Sequence, residues 1–549
     1  MRVVVPFLLM VLLAAGAGAQ EKMTREDAAA ILFSNSFSFT RDGQPVLSVG
    51  LMAEQQTVEF TAPAGLAVHP SGPGGPSATV SGNRRWKATV SASTPAKVGY
   101  RAVLAAAATR DFPAVKALAA DWKQRGVDTV TLELGTLFSF EGTVFDTRKT
   151  LVCSATAFES AGKAQAFVDE VGRKFPGSYL VQEVLLERPS GLITLATADG
   201  SVRFEARNAV WFDPAGGALT VHDVEFAKGF SWHGRQTRKY SGSFYLAVDR
   251  HGSLAIANVL PAEQLLKGLV PAEIFPDAPR EALKAQAVTA RVEMLAKIGH
   301  RHLADPFRLC ADQHCQVYKG LDAERAASTA AVEATAGQVL FEASGTLLDA
   351  RYHSTCGGHT ETASFAWPGV DSTALQGRFE NRTAVKDVFA PLSDADVAAF
   401  LANPPPSYCG RSSRAKATFR WSKSISSADM DKMLAKAHDV GRVTAVSVTR
   451  RGVSGRAVEV EVRGTGATVT IKGELTIRQL FGGLKSSLFV VSPTADAAGR
   501  ATAFTFSGGG FGHGVGMCQI GATEMAKDGK SYKDILEYYY RNVQVRRIY

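Results

Sequence analysis

The stretch GGGFGHGVGMCQIGA, Gly508 to Ala522, constrains this chain more than any other. Seven of its fifteen positions are glycine, yet it also holds a histidine, a methionine and a cysteine. So much glycine rules out the interior of a regular helix or strand, because each glycine costs conformational entropy there. A plain flexible linker would not carry His513, Met517 and Cys518. The stretch therefore reads as a turn-rich loop in which something must approach the backbone closely.

The rest of the sequence says where such a loop would work. MRVVVPFLLMVLLAAGAGAQ has a basic Arg2, an apolar run from Val3 to Ala15 and a small-residue end at Ala17-Gly18-Ala19. That is the pattern of a secretory signal cleaved near Ala19, and its apolar run is short for a membrane span. The sequence thus predicts an exported protein of the periplasm or cell wall. Over 549 residues the net charge is only +9 and no Lys/Arg-rich run occurs, which argues against nucleic acid as a partner. A mild positive surplus suits a wall polymer carrying carboxylates.

Pattern changes along the chain predict an α+β, multidomain protein. Residues 1–19 are the signal, and 20–96 alternate and turn often as a small β-rich module, after a short helix over 23–35. Residues 97–190 read as two β-α-β units in tandem, and 191–239 as a β-meander leading into a mixed α/β region over 240–549. Within that region FPDAPREALKAQAVTARVEMLAKIG (275–299) predicts the strongest helix. Asp277 is its N-cap, Pro279 lies near its first turn and Gly299 ends it. Leu283, Ala287, Ala290 and Met294 form one apolar face. A helix is also expected near 427–440, and another over 531–540 closing the chain.

Four segments carry chemistry. VLPAEQLLKGLVPAEIF (259–275) places Glu263 and Glu273 in twin Pro-Ala-Glu settings, where a desolvated carboxyl would hold its proton and act as a general acid. A glutamate there can also simply cap a helix. HRH (300–302) and LCADQHCQVYKG (309–320) offer His302, Cys310, His314 and Cys315, either as tetrahedral zinc ligands or with Cys310 and Cys315 as a tight disulfide. ARYHSTCGGHTE (350–361) carries His353, Ser354, Cys356, the Gly357-Gly358 pair and His359. The fourth is the glycine-rich loop itself. Cys356 or Cys518 beside a histidine would make a thiol nucleophile, but no local cysteine-protease pattern surrounds either. His353, His359 and His513 would make a metal site, but lack a metalloenzyme spacing.

Taken in order, these segments resemble the stage II sporulation protein D / LytB amidase-enhancer family. The resemblance covers Tyr240 to Tyr549. It rests on the Leu283-Lys284-Ala285-Gln286-Ala287 helix after Glu273, on CQVYKG, YHSTCGGHTE and IRQLFGGLKSSLF (477–489), and on GFGHGVGMCQIGATEMAKDG. It implies binding of peptidoglycan glycan strands. It further implies a lytic transglycosylase acting on strands stripped of peptide, with Glu273 as the single catalytic acid, or else a non-catalytic activator of a cell-wall amidase. The substrate-contacting positions it implies are Lys284, Gln286, Arg291, Gln316, Tyr318, His353, Ser354, Gly357, Gly358, His513, Gly514 and Gln519. No cofactor is required by that chemistry, although some members carry a Cys/His zinc site near CQVY. If the loops of Cys356 and Cys518 face each other, those two would close the groove as a disulfide. Residues 97–190 faintly resemble the SPOR peptidoglycan-binding domain.

Overall fold

The computed structural model describes residues 25–549, apart from 37, 74, 141–142, 178, 229–232 and 381–392. The signal segment lies outside the described residues. Strand outweighs helix, 39% against 26%, in a mixed α/β architecture of several bodies.

The first body is a pair of facing sheets, antiparallel but for one short parallel pairing of Leu309–Cys310 with Pro45–Gln55. One has six strands in the order Arg203–Arg207, Ser190–Thr197, Arg84–Thr94, Thr57–Ala62, Ala218–Phe226, Gly234–Ser241. The other has eight, with Pro45–Gln55, Leu254–Pro261, Ser243–Val248, Ala209–Pro214 and Gly65–His69 at its centre. Side chains alternate along Thr57–Ala62, so Val58, Phe60 and Ala62 point inward and are fully buried. Phe60 stacks on Phe212 of the opposite sheet with centroids 4.9 Å apart. Interdigitation of the two inner faces makes the core.

The strand pairing corrects the expected boundaries. Segments 20–96 and 191–239 are not separate modules. Pro45–Gln55 pairs with Leu254–Pro261, Thr57–Ala62 with Ala218–Phe226, and Arg84–Thr94 with Ser190–Thr197. Early and late strands are interleaved in both sheets, a long-range pairing that local pattern cannot reveal. Residues 97–187 are inserted between them as β-α-β-β-α-β, with a hairpin of Leu137–Phe140 and Thr143–Asp146 between the second and third strands that reaches into the main core. Their antiparallel sheet runs Leu180–Glu187, Lys97–Ala108, Lys149–Ser154, Thr129–Leu134. The helices Phe112–Gln124 and Ala161–Lys174 bury Trp122, Val168 and Val171 against it. That strand order is the split β-α-β arrangement. The ends of the insert meet, since Lys97 pairs with Glu187.

The helical body is organised around Arg280–Lys297, which is buried on nearly every side rather than along one face. Ala262–Glu273, Ala326–Ala334, Gln519–Lys527 and Tyr532–Tyr539 pack on it. Its N-cap position is Pro279, not Asp277; the Asp277 side chain instead pairs with Arg414 at the surface. Gly299 ends the helix with φ +73, and a Cβ there would meet the Gly135 carbonyl oxygen at 2.6 Å. Ala262–Glu273 is helical despite Pro271, which sits in its last turn. Tyr532–Tyr539 does not close the chain: Gln544–Arg547 follows and pairs with Gln338–Phe341.

Residues 421–508 form a further lobe of two three-stranded sheets with its own core, including Met430, Leu434, Val460, Phe481 and Phe506. The helix expected over 427–440 spans Ser427–Leu434, and Glu474–Leu480 adds a second.

Candidate functional site

The site is built where three segments meet at the end of the helix Ala262–Glu273. Glu273 is the last residue of that helix, so it is not a cap of the next one. The carbonyl end of a helix is a poor place for a negative charge. The carboxyl is half-buried, and its Oε1 accepts a short hydrogen bond (2.5 Å) from the Val317 N–H, in the CQVYKG segment. Burial pushes its pKa up to about 7, and the nearby Glu293 carboxylate adds to the rise. The Val317 N–H, Lys297 and the Tyr352 hydroxyl oppose it. A carboxyl poised near neutral pH can give and take a proton under ordinary conditions.

The floor beneath Glu273 is a polar network on the long helix. Gln316 Nε2 donates to Glu293 Oε2 at 2.8 Å, while Lys297 Nζ pairs with Glu293 Oε1 at 2.5 Å. Arg351 adds a longer contact to Glu293 at 3.6 Å. On the other side Gln519 Nε2 donates to the Glu273 carbonyl at 2.9 Å and to Gln286 Oε1 at 3.1 Å. Of the three glutamines expected at the site, Gln519 binds the Glu273 carbonyl, Gln286 is one hydrogen bond further out and Gln316 binds Glu293.

The two motif loops do face each other. Tyr352–His353 pairs in parallel with Met517–Cys518, and Thr355 and Phe511 exchange backbone hydrogen bonds of 3.1 and 2.7 Å. The rings of His353 and His513 lie 5.6 Å apart, and Trp367 stands 4.9 Å from His513. His353 Nδ1–H donates to the Val515 carbonyl at 3.0 Å, leaving its buried Nε2 without a partner. His513 Nδ1 accepts from the Val515 N–H at 3.1 Å, so in the neutral ring the proton sits on Nε2. Burial pushes both imidazoles down, that of His353 to about 3 and that of His513 well below its usual value. Both are neutral at physiological pH.

The bareness of the loop has a physical account in the fold itself. Gly510, Gly512, Gly514 and Gly516 all have positive φ. A Cβ at Gly514 would lie 2.2 Å from Arg456 Cζ, and one at Gly512 would lie 2.9 Å from His353 Cβ. Arg456, 1% exposed, fills the space left at Gly514 and donates to the carbonyls of Cys356 and His359. Gly357 (φ +78) likewise lets the opposite turn reach Gly510, where a Cβ would come within 2.8 Å of its nitrogen. The glycines thus bring protein segments together. Ser354 is half-buried beside this contact, and its carbonyl accepts from the Ile520 N–H.

Three expected contact residues stand elsewhere. Arg291 is fully buried and holds Glu263 in a bidentate ion pair of 2.7 and 2.8 Å, which keeps the Glu263 carboxyl ionised. It ties the helical body together and is not free for a ligand, a correction to the substrate-contacting role. Tyr318 is buried with its hydroxyl on Asn258, and Lys284 pairs with Glu281 beside Tyr532. Neither touches Glu273. Tyr352, Glu293 and Lys297 do belong to the site. The i, i+4 spacing of Glu293 and Lys297 on the same helix was the legible signal for the latter pair.

His302, Cys310, His314 and Cys315 also come together, with ligand atoms all within 4.8 Å of one another. His302 Nε2 is 3.2 Å from Cys315 Sγ, and its Nδ1 is held by Asp305 at 2.8 Å. A carboxylate behind a histidine in this way fixes the tautomer that a metal needs. Among the described residues all six cysteines are free thiols, so neither the Cys310–Cys315 nor the Cys356–Cys518 disulfide is formed.

Comparison with known proteins places this site in context. Residues 250–341 match the family model described as "Stage II sporulation protein", and 361–516 match a domain of unknown function, DUF8618. Stage II sporulation protein D of Bacillus subtilis is 27% identical over 314 residues, 55% of this chain and 78% of that protein. An uncharacterized protein of Brachyspira hyodysenteriae is 27% identical over 323 residues, 58% of this chain and 75% of that one. The amidase enhancer of B. subtilis is 28% identical over 293 residues, 50% of this chain and 39% of its own length.

Proposed function

We propose, from the premise that the C-terminal half of this chain carries a stage II sporulation protein domain, that the protein acts on the cell wall as an exported lytic transglycosylase. The observation that carries the reading is Glu273: a half-buried carboxyl with a pKa near 7, the only such group where the long helix, the CQVY segment and the two facing loops converge among the described residues. Protonated Glu273 would donate to the glycosidic oxygen between N-acetylmuramic acid and N-acetylglucosamine. As that bond breaks, the carboxylate would take the proton of the C6 hydroxyl of the same muramic acid ring. The C6 oxygen then bonds to the anomeric carbon, giving a 1,6-anhydro end with no water consumed. A two-carboxylate hydrolase needs a second acid to activate water or form a covalent bond. Here the nucleophile is already tethered to the reacting ring, so one carboxyl suffices. The Nε2–H of His513 and the ring of Trp367 would contact the sugar, and the depression of about 160 Å³ beside Phe511, lined by Leu475, Arg478, Gln479 and Lys485, would extend its path.

The residues His302, Cys310, His314 and Cys315 fit a structural zinc by their donor set and by Asp305 behind His302. That ion would brace the CQVY segment, whose Val317 N–H binds Glu273. Similarity to the amidase enhancer supports a second reading, a glycan-binding activator of an amidase without cleavage of its own. Incubation with peptide-stripped glycan strands separates the two. Anhydro-ended fragments released by the intact protein and lost in Glu273→Gln are the expected result. Binding without release, together with stimulation of an amidase, would replace the first reading by the second.

A further inference from the structure

The glycine-rich loop carries a cysteine for which sugar chemistry has no use, and its surroundings give that cysteine a different task. Cys518, Cys356, Cys409 and Glu380 are all buried, and their ligand atoms lie within 4.8 Å of one another. They come from four separate segments: the loop, the turn after Tyr352–His353, the short turn Cys409–Arg411 and the residue after Phe379. We infer that these four residues form a second, fully buried metal centre, a tetrahedral Cys356-Cys409-Cys518-Glu380 site for a zinc-class dication.

Four observations carry the inference. The first is spacing. Cys356 Sγ and Cys409 Sγ are 3.5 Å apart, far beyond the ~2.05 Å of a disulfide. Two thiolates each about 2.3 Å from a tetrahedral zinc stand roughly 3.8 Å apart. The second is Glu380. Its carboxyl is fully buried and accepts from the Tyr539 hydroxyl (2.5 Å) and the Cys409 N–H (2.7 Å), yet no Lys or Arg pairs with it among the described residues. A buried carboxylate normally has a cation, and a metal would supply it. A carboxylate keeps lone pairs for a metal beyond those two hydrogen bonds.

Third, two of the three sulfurs accept backbone hydrogen bonds of the kind that favour a thiolate. Cys518 Sγ accepts from the N–H groups of Cys356 (3.3 Å) and Gly521 (3.4 Å), and Cys356 Sγ from that of Gly358 (3.3 Å). Cys518 is also the N-cap of the helix Gln519–Lys527, where a negative charge is favoured. Fourth, positive charge lies close, with Arg456 shared between this cluster and the buried Glu361. A dication with three thiolates and a carboxylate carries a surplus of two negative charges. The guanidinium groups of Arg456 and Arg420 stand beside it, donating to the carbonyls of Cys356 (2.8 Å) and Gly357 (2.9 Å). Gly521 keeps the space clear, since a Cβ there would lie 1.8 Å from Glu380 Oε1. Binding displaces the three thiol protons to solvent and changes no oxidation state. Three thiols also cannot all be consumed in disulfides with one another, whereas a metal uses all of them.

Such an ion would clamp both facing loops and the start of the helix whose first residue, Gln519, holds the Glu273 carbonyl. It acts on the site by position, not by touching the reacting sugar, and its existence does not depend on the proposed activity. The test is metal analysis of the full chain after desalting, in a Cys310→Ser/Cys315→Ser background that disables the other cluster. That variant should retain one zinc per chain, and adding Cys409→Ser should abolish it. Because the added substitution can impair folding, cobalt(II) loading of the double variant gives a second readout. Strong visible bands of tetrahedral cobalt with thiolate charge transfer are expected. A double variant that binds neither metal would overturn the inference, as would a native mass map linking Cys356 to Cys409 or Cys518.

Discussion

Replacing Glu273 with glutamine should cost the protein its chemistry while making it more stable at neutral and alkaline pH. The wild-type carboxyl has a folded pKa near 7 against 4.5 for the free side chain. Between those values the folded state binds more protons than the unfolded state, so wild-type stability falls as pH rises. The full difference, about 2.5 pKa units at ~1.36 kcal/mol each, amounts to roughly 3 kcal/mol above pH 7. Glutamine is neutral throughout, keeps an oxygen for the Val317 N–H and offers its amide to Tyr352. At pH 4.5 and below the two proteins should unfold alike. From there the advantage of Glu273→Gln should grow to its full size near pH 7 and then level off. Thermal or denaturant unfolding of both proteins from pH 4 to 9 measures it. A stability difference independent of pH, or one that favours the wild type as pH rises, would refute the claim that the site holds this carboxyl protonated.

Other substitutions test the surrounding construction. Tyr352→Phe removes a hydroxyl that favours ionised Glu273, so the falling alkaline limb of a cleavage–pH profile should move to higher pH. Glu263→Gln leaves the buried Arg291 guanidinium without its partner and should destabilise by about 3–5 kcal/mol in chemical unfolding; it is therefore no neutral control for Glu273, whereas the exposed Asp277→Asn is. Gly514→Ala places a methyl on Arg456 at φ +84 and should cost more than the ~1–2 kcal/mol of left-handed strain alone, while Gly499→Ala, with open space around it, should show only that strain. Excising residues 98–186 joins the paired ends at Lys97 and Glu187 but also takes Phe138, Phe140 and Phe145 out of the main core, so the remainder should unfold at lower denaturant than the full chain, whereas excising 36–96 removes strands from both sheets and should abolish cooperative unfolding.

The parts of the site that were legible in the sequence are those held by local motifs. Glu273 before Leu283-Lys284-Ala285-Gln286-Ala287, the Gly357-Gly358 turn and the glycine-rich loop each carry their signal within a dozen residues. Their meeting could be expected only through the family resemblance. Arg291 misled because a polar residue in a motif reads the same whether it faces a ligand or a buried partner such as Glu263. The interleaving of strands 45–94 with strands 190–261 was illegible because antiparallel pairing over such separations leaves no periodic trace. Cys409 and Glu380 were missed for a related reason: neither sits in a spaced pattern, and only the fold brings them to Cys356 and Cys518. The glycines announce close approach by residue type alone, which leaves open whether sugar or protein does the approaching; here protein segments fill the space.

The most direct test of the central claim is the isotopic composition of the new chain ends. Peptide-stripped glycan strands are incubated with the protein in ¹⁸O-labelled water, and the fragments are weighed by mass spectrometry. Intramolecular attack by the C6 hydroxyl predicts fragments whose masses sum to that of the parent strand, with no ¹⁸O at any new end. Reducing ends that carry ¹⁸O would show that water, not the sugar's own hydroxyl, is the nucleophile, and would contradict the role assigned to Glu273.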